Sequence, residues 1–413
     1  MLYRKVILAI ADGLGDRPIP ALGERTPLEY ARTPNLDRLA RQGITGVVDL
    51  LGPGIPVGTD LGHLILFGHD AADYTGRGPI EALGIGVDVQ PGDVVFRCNF
   101  AAVDEAGVVV DRRAGRIREN TEALAAALDG MMLDGGAQVF LKPATEHRAV
   151  LILRGAGLSD RISDSDPKAP NDGEPYHEIR PLDPSEEAQR TASLMNSFLQ
   201  KAHERLKAHP VNAERLRQGK LPANFILTRG GGQTRYVAPV TERLKITGCC
   251  IAGEGTVLGV ARLAGFQALT HESMTGNIDT DIRLKAQWTL EQIATNDMVY
   301  VHMKAPDVKG HDNKPLEKAE SIELFDTMVG LIADQLPADT YLAVAADHST
   351  PCEIGEHTGD PVPVLIYGPG IRVDRTVQYN EIDCAYGGLG RLSGQQFAST
   401  LHGLMGRVPK QGS

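Results

Sequence analysis

Uninterrupted apolar runs recur along the chain, each only as long as a β-strand. The first, Lys5–Ala11, reads Lys-Val-Ile-Leu-Ala-Ile-Ala and stops at Asp12. A strand reads this way when both faces of its sheet are covered by helices, because no solvent-facing positions are left for polar residues. Similar runs at 46–51, 246–252, 298–302 and 341–345 alternate with segments of helical spacing. Residues 33–43 carry a capping Thr33, Pro34 in the first turn and Gly43 as a stop. Residues 256–264 read as another helix, and Ile322, Phe325, Met328, Val329, Ile332 and Leu336 fall on one helical stripe. Such alternation predicts an α/β core with a mostly parallel sheet sandwiched by helices.

The middle of the chain has a different texture. Strands are predicted at 94–103, 107–111, 138–142 and 148–153, with hairpin turns among them, and residues 184–209 form one long amphipathic helix. The polar, proline-rich stretch 160–183 reads as a long ordered loop or lid. An inserted smaller α+β cap over 76–223 is therefore expected, with the core assembled from 1–75 and 224–413. The run at 224–228 is assigned to that core, and Arg229-Gly230-Gly231-Gly232 reads as a glycine turn that lacks the Lys-Ser/Thr of a P-loop.

Candidate chemistry gathers where apolar runs end. Asp307 and His311 stand four apart after the run at 298–302 and are read as a loop. Asp347-His348 follows the run at 341–345, and His357 comes shortly after. Mixed carboxylate and imidazole donors suit Mn²⁺, Zn²⁺ or iron, whereas magnesium favours oxygen alone. Asp12 and Gly58-Thr59-Asp60 add an acid and a hydroxyl, enough for two metals. Each pair alone also reads as helix caps or surface hydrogen bonds. Thr59 has two compatible readings, a helix N-cap and a hydroxyl facing an anion site at a helix N-terminus. Arg112, Arg113, Arg116 and Arg118 directly follow a strand; they read as a solvated face or as an anion clamp, guanidinium forks being suited to carboxylate and phosphate.

Composition narrows the function. With 42 Lys+Arg against 53 Asp+Glu, the net charge of −11 argues against a nucleic-acid partner. Five cysteines, odd in number and without paired spacing, fit a reducing cytoplasm better than a disulfide framework. The first apolar run is too short for a signal peptide or a membrane span, so a soluble cytoplasmic protein without membrane partners is expected. A homo-oligomer is left open.

Beyond periodicity, the motifs Ala11-Asp12-Gly13, Thr33-Pro34-Asn35-Leu36-Asp37-Arg38-Leu39, Pro306-Asp307-Val308-Lys309-Gly310-His311, Asp347-His348-Ser349-Thr350-Pro351 and His357-Thr358-Gly359-Asp360 resemble the alkaline phosphatase superfamily. More closely, Thr75-Gly76-Arg77-Gly78-Pro79, Asp111-Arg112-Arg113-Ala114-Gly115-Arg116 and Gly387-Gly388-Leu389-Gly390-Arg391 resemble archaeal-type cofactor-independent phosphoglycerate mutases, over nearly the whole chain. The resemblance implies an alkaline-phosphatase-like core and two divalent cations (Mn, Zn, Co or Mg, with Mn or Zn favoured). One cation would be held by Asp307, His311 and His357, the other by Asp12, Asp347, His348 and the nucleophile Thr59. It implies interconversion of 3-phosphoglycerate and 2-phosphoglycerate through a phosphothreonine. Arg112 and Arg116, with Arg97 and Arg148, would hold the small phosphorylated acid, and Lys304 would reach its phosphoryl group. His147 reads either as a proton shuttle or as a satisfied core histidine. Two departures stand out: Thr59 replaces the usual serine and adds a methyl group that restricts χ1, and Ala252-Gly253-Glu254-Gly255 replaces a more apolar turn.

Three rivals share parts of this pattern. They are a metal-dependent phosphatase or phosphonate-metabolism enzyme, a nucleotide phosphodiesterase, for which no aromatic base platform is evident, and a non-catalytic metal-binding paralogue.

Overall fold

The computed structural model describes residues 4–168, 172–410 and 412. In chain order its strands are β1 (Lys5–Ala11), β2 (Ile44–Asp49), β3 (Val94–Val103), β4 (Val109–Asp111), β5 (Gln138–Pro143), β6 (Arg148–Arg154), β7 (Phe225–Gln233), β8 (Gly248–Ile251), β9 (Gln267–Leu269), β10 (Met298–Met303), β11 (Thr340–Ala345), β12 (Val362–Tyr367) and β13 (Gly390–Ser393). They form two sheets in two compact units, Met1–Tyr74 with Val237–Ser413, and Thr75–Tyr236.

The first unit is built on an eight-stranded sheet of order β13-β2-β12-β11-β1-β10-β8-β9. Its pairings are parallel except those of β12, which runs antiparallel to both β11 and β2. One group of helices, Ile282–Thr295, Pro315–Ala333 and Pro34–Gln42, packs together, and a second joins Thr59–Leu66 to Gly255–Leu263 and Gly394–Leu404. Covered in this way, β1, β10 and β11 are buried nearly throughout, which is why their sequences carry no polar alternation. Parallel strands place their C-terminal ends along one edge of the sheet, where α/β folds bind ligands. At that edge the neighbours β11, β1 and β10 run directly into Asp347, Asp12 and Lys304.

The second unit is an antiparallel sheet of order β4-β3-β6-β5, with β7 also paired to β3. One face packs against the long helix Glu186–Lys207, whose Phe198, Met195 and Leu199 join Phe96, Cys98 and Phe100 of β3 in one core. On the other face Ala82 of helix Arg77–Gly84 meets Val95, Val150 and Ile152.

Two sequence expectations need correction here. The strand near 225 belongs to this smaller sheet, so the second crossing between units falls at 236/237 instead of 223/224. The glycines after it are not a turn: β7 continues through them to Gln233 in its pairing with β3, and Gly232 permits close approach of the Thr75 carbonyl, with which a side chain would collide. The described residues of the stretch 160–183 are irregular, tied by isolated bridges such as Ile162 to Pro181. Residues 169–171 of that stretch lie outside the described residues.

Candidate active site

Asp12, Thr59, Lys304, Asp307, His311, Asp347, His348 and His357 converge in the first unit. Asp12 follows β1 directly, and the next residue, Gly13, has φ +62; a Cβ there would lie 2.6 Å from Thr350 Oγ1 and 2.7 Å from Asp307 Cβ. Glycine therefore lets β1 turn over the carboxylates, and its amide donates to Asp347 Oδ1 at 3.2 Å. Asp307 and His311, read from sequence as a loop, instead lie four apart on the helix Ala305–His311. Helical spacing is what sets both on one face. His311 Nε2 is 3.4 Å from Asp307 Oδ1, His357 Nε2 is 3.5 Å from the same oxygen, and the two imidazole nitrogens are 3.2 Å apart. Donors of Asp12, Asp347 and His348 form a second group within 4.8 Å of one another, and His348 also groups with Asp307 and His357.

Thr59 does not cap its helix. Gly58 occupies the N-cap of Thr59–Leu66, leaving the Thr59 hydroxyl 3.2 Å from His348 Nε2 and 3.2 Å from Lys304 Nζ. Lys304 Nζ also reaches Asp12 Oδ1 at 3.1 Å and Asp307 Oδ2 at 2.7 Å. Burial would lower the pKa of this lysine, but the charges of Asp12, Asp307 and Asp347 hold it raised, so it remains an ammonium. Asp12 is pushed up by burial and by the neighbouring Asp347 charge. Asp307 is depressed despite its burial, held down by His357 and by Lys304.

The donors fit divalent cations. Three buried carboxylates gather around a single ammonium, and Asp347 Oδ2 has no hydrogen-bond partner although His63 Nδ1 and His348 Nε2 each lie 3.2 Å away. Buried carboxylate oxygens mixed with imidazoles are a donor set suited to divalent metal ions.

Among the expected substrate residues of the smaller unit, Lys304 belonging to the first, the structure sorts bound groups from open ones. Arg112 is committed: it forms a bidentate pair with the buried Asp166 at 2.7 and 2.6 Å, so its fork is not open to an anion. Arg116 is exposed, has φ +54, and lines an open pocket with Arg118, Arg215 and Lys220. Arg97 and Arg148 do converge. Arg97 and Asn99 share one face of β3, Arg148 stands opposite Asn99, and Arg229 of β7 stands opposite Arg97. Arg97 is 8 % exposed, pairs with Glu81 at 3.3 Å, and is pushed down to about 10 by burial, with the neighbouring arginines adding to the shift. Arg97 Nε, Arg229 Nε, Asn99 Oδ1 and His147 Nδ1 are buried without hydrogen-bond partners. His147 is therefore not a satisfied core histidine; burial and the Arg148 charge push it down to about 4, leaving it neutral.

Comparison with known proteins decides the family. The family model described as 2,3-bisphosphoglycerate-independent phosphoglycerate mutase matches residues 40–212. Proteins of that name from Methanopyrus kandleri and Pyrococcus abyssi are each 45 % identical to this chain over its full length, covering 99 % and 100 % of those proteins. The chain belongs to the 2,3-bisphosphoglycerate-independent phosphoglycerate mutase family. Its fold also superposes on a Pyrococcus horikoshii protein (TM-score 0.86, 37 % identity, all of both chains) and on the cofactor-independent phosphoglycerate mutase of Thermoplasma acidophilum (TM-score 0.72, 36 % identity, 97 % of this chain and 100 % of that one).

Several site residues were not visible to sequence reasoning. Thr350 donates to Asp307 Oδ1 at 2.7 Å and lies 3.1 Å from His348 Nδ1, positioning both. Arg229 was hidden in a glycine run, and only the β3–β7 register brings it to Arg97. His63 and His302 sit inside apolar segments of a helix and a strand, and the sequence reading assigned them no role. For His63, the signal would have been its i+4 spacing from Thr59.

Proposed function

We propose that this chain, as a member of the phosphoglycerate mutase family, interconverts 3-phosphoglycerate and 2-phosphoglycerate through a phosphothreonine at Thr59, in the cytoplasm, at a centre of two divalent cations, with Mn²⁺ or Zn²⁺ favoured. The observation that carries the reading is the Thr59 hydroxyl, released from capping by Gly58 and held between His348 and Lys304. Asp12, Asp347 and His348 with Thr59 would hold one cation, and Asp307, His311 and His357 the other. Bound there, the ions would acidify the threonine hydroxyl and polarise the phosphoryl oxygens.

The chain's own groups supply the rest. Thr59 Oγ1 attacks phosphorus, the bond from phosphorus to the glycerate oxygen breaks, and phosphothreonine forms. The other glycerate hydroxyl then attacks that phosphorus and restores Thr59. The Lys304 ammonium sits against Oγ1 and offsets negative charge as the phosphoryl group passes. The positive end of the helix beginning at Thr59 acts in the same direction. Arg97, Arg148 and Arg229 are assigned to the carboxylate and phosphate of the substrate, and the neutral His147 to moving a proton between glycerate hydroxyls. Incubating the protein with Mn²⁺ and 3-phosphoglycerate tests the reaction by ³¹P NMR. A 2-phosphoglycerate signal without free phosphate, and without added 2,3-bisphosphoglycerate, is expected; stoichiometric phosphate release would make the enzyme a phosphatase.

A further inference from the structure

Two imidazoles stand behind the carboxylates of the site and are absent from the ligand sets above. His302 is the fifth residue of β10 and 1 % exposed; its Nε2 lies 2.8 Å from Asp12 Oδ2. His63, fully buried, sits one helical turn beyond Thr59, with Nδ1 2.8 Å from the Thr59 carbonyl oxygen and 3.2 Å from Asp347 Oδ2. The two rings meet edge to face with centroids 5.0 Å apart.

Hydrogen-bond roles fix both tautomers. A carbonyl oxygen only accepts, so His63 donates from Nδ1; Asp12 as a cation's ligand would be ionised and accept, so His302 would donate from Nε2. The opposite nitrogens, His63 Nε2 and His302 Nδ1, have no hydrogen-bond partners and are sealed from solvent. Each ring thus spends its one donor on the site. His302 takes one oxygen of Asp12 and leaves Oδ1 to face Lys304, 3.1 Å away. His63 spends its Nδ1 proton on the Thr59 carbonyl one turn back, and the same nitrogen lies 3.2 Å from Asp347 Oδ2 as a charge contact only.

We propose that His302 is a positioning residue that sets the orientation of Asp12 toward the nucleophile-side cation; this rests on the two-cation reading above. A metal ligand held by an outer hydrogen bond keeps its rotamer when the ion leaves, so the site is preorganised, and loss of such a bond costs about 10- to 100-fold in metal affinity. The same three residues, Asp12, His63 and His302, have donors close enough to hold an ion themselves. The His302 nitrogen that faces Asp12 already donates to it, which favours positioning.

The test is Mn²⁺ binding to the full-length protein by isothermal titration calorimetry, comparing wild type with His302→Ala and His302→Gln. Glutamine places an amide N–H near the position of Nε2 and so restores the bond to Asp12. Wild type should bind two equivalents. His302→Ala should weaken one of them about 10- to 100-fold and leave the other unchanged, and His302→Gln should recover most of the loss. Should the alanine variant fail to fold, His302→Leu, which fills the space without a donor, takes its place: native circular dichroism with one equivalent weakened about tenfold or more supports the proposal, and native circular dichroism with two unchanged equivalents overturns it. Two unchanged equivalents in His302→Ala would overturn the positioning role while leaving the two-cation reading intact. A third wild-type equivalent lost on substitution would make His302 a ligand. No Mn²⁺ binding by wild type would sink the two-cation reading itself.

Discussion

Thr59 Oγ1 lies 3.2 Å from His348 Nε2, in the first turn of a helix whose cap is the preceding Gly58. The hydroxyl is thus spent on the site and not on the helix. Thr59→Ala should abolish turnover while lowering stability by no more than about 1 kcal/mol, the usual cost of a lost cap. Thr59→Ser should retain turnover. Steady-state kinetics and urea titration of the same preparations separate the two effects; a stability loss with activity retained would return Thr59 to a structural role.

His311 is the most open member of its trio, with a side chain 36 % exposed, so its loss should not disturb the core. His311→Ala should keep its fold, lose most activity, and bind one equivalent of Mn²⁺ more weakly by at least tenfold, as expected for a missing ligand. Full activity after chelator treatment would contradict the assignment.

Arg112 and Arg148, both expected from sequence to bind substrate, should behave differently. Arg112 is paired with Asp166, whose side chain is 1 % exposed, so Arg112→Ala strands a buried carboxylate and should cost about 3 kcal/mol of stability. The pKa of Asp166 is held low by the Arg112 hydrogen bond against its burial. Stability from a depressed carboxylate is full above its unfolded pKa and fades as pH falls through the folded one, so the penalty of Arg112→Ala should shrink in strong acid. Arg148→Ala should leave stability nearly unchanged and raise KM for 3-phosphoglycerate. Denaturation and kinetics on both variants check the contrast.

His402, remote from the site residues in sequence and buried in the helix Gly394–Leu404, is pushed down from 6.5 to about 4 by burial and by Arg243. Below its unfolded pKa the unfolded chain binds a proton that the folded chain refuses, so stability should fall as pH drops from 6.5 toward 4 and level off below. The contribution is about 3 kcal/mol at most. Urea midpoints across that interval should show the slope, and His402→Gln should flatten it.

The sequence was most informative where one kind of physics acted alone. Lys5–Ala11 and 341–345 were legible as strands because burial on both faces forces continuous apolar runs. The acids and imidazoles at strand ends were legible because several such pairs recur together, although each alone reads equally as a helix cap or a surface hydrogen bond. What failed depended on partners distant in the chain. Phe225–Gln233 looks like a core strand until its pairing with β3 is known, and its glycines look like a turn until the Thr75 carbonyl beside Gly232 is seen. Arg112 looks like a clamp until Asp166, 54 residues on, is found against it. β12 was missed because Pro363 within Val362–Tyr367 lowers its strand signal, although the β12 pairings tolerate it.

The central claim, that the phosphoryl group passes through Thr59, is tested most directly by mixing the Mn²⁺-loaded enzyme with 3-phosphoglycerate, quenching in acid within a turnover, and mapping phosphate by mass spectrometry. The account predicts phosphate on the peptide carrying Thr59, localised to that residue, and its disappearance in Thr59→Ala. Phosphate on another residue, or 2-phosphoglycerate formed at the wild-type rate by Thr59→Ala, would contradict it.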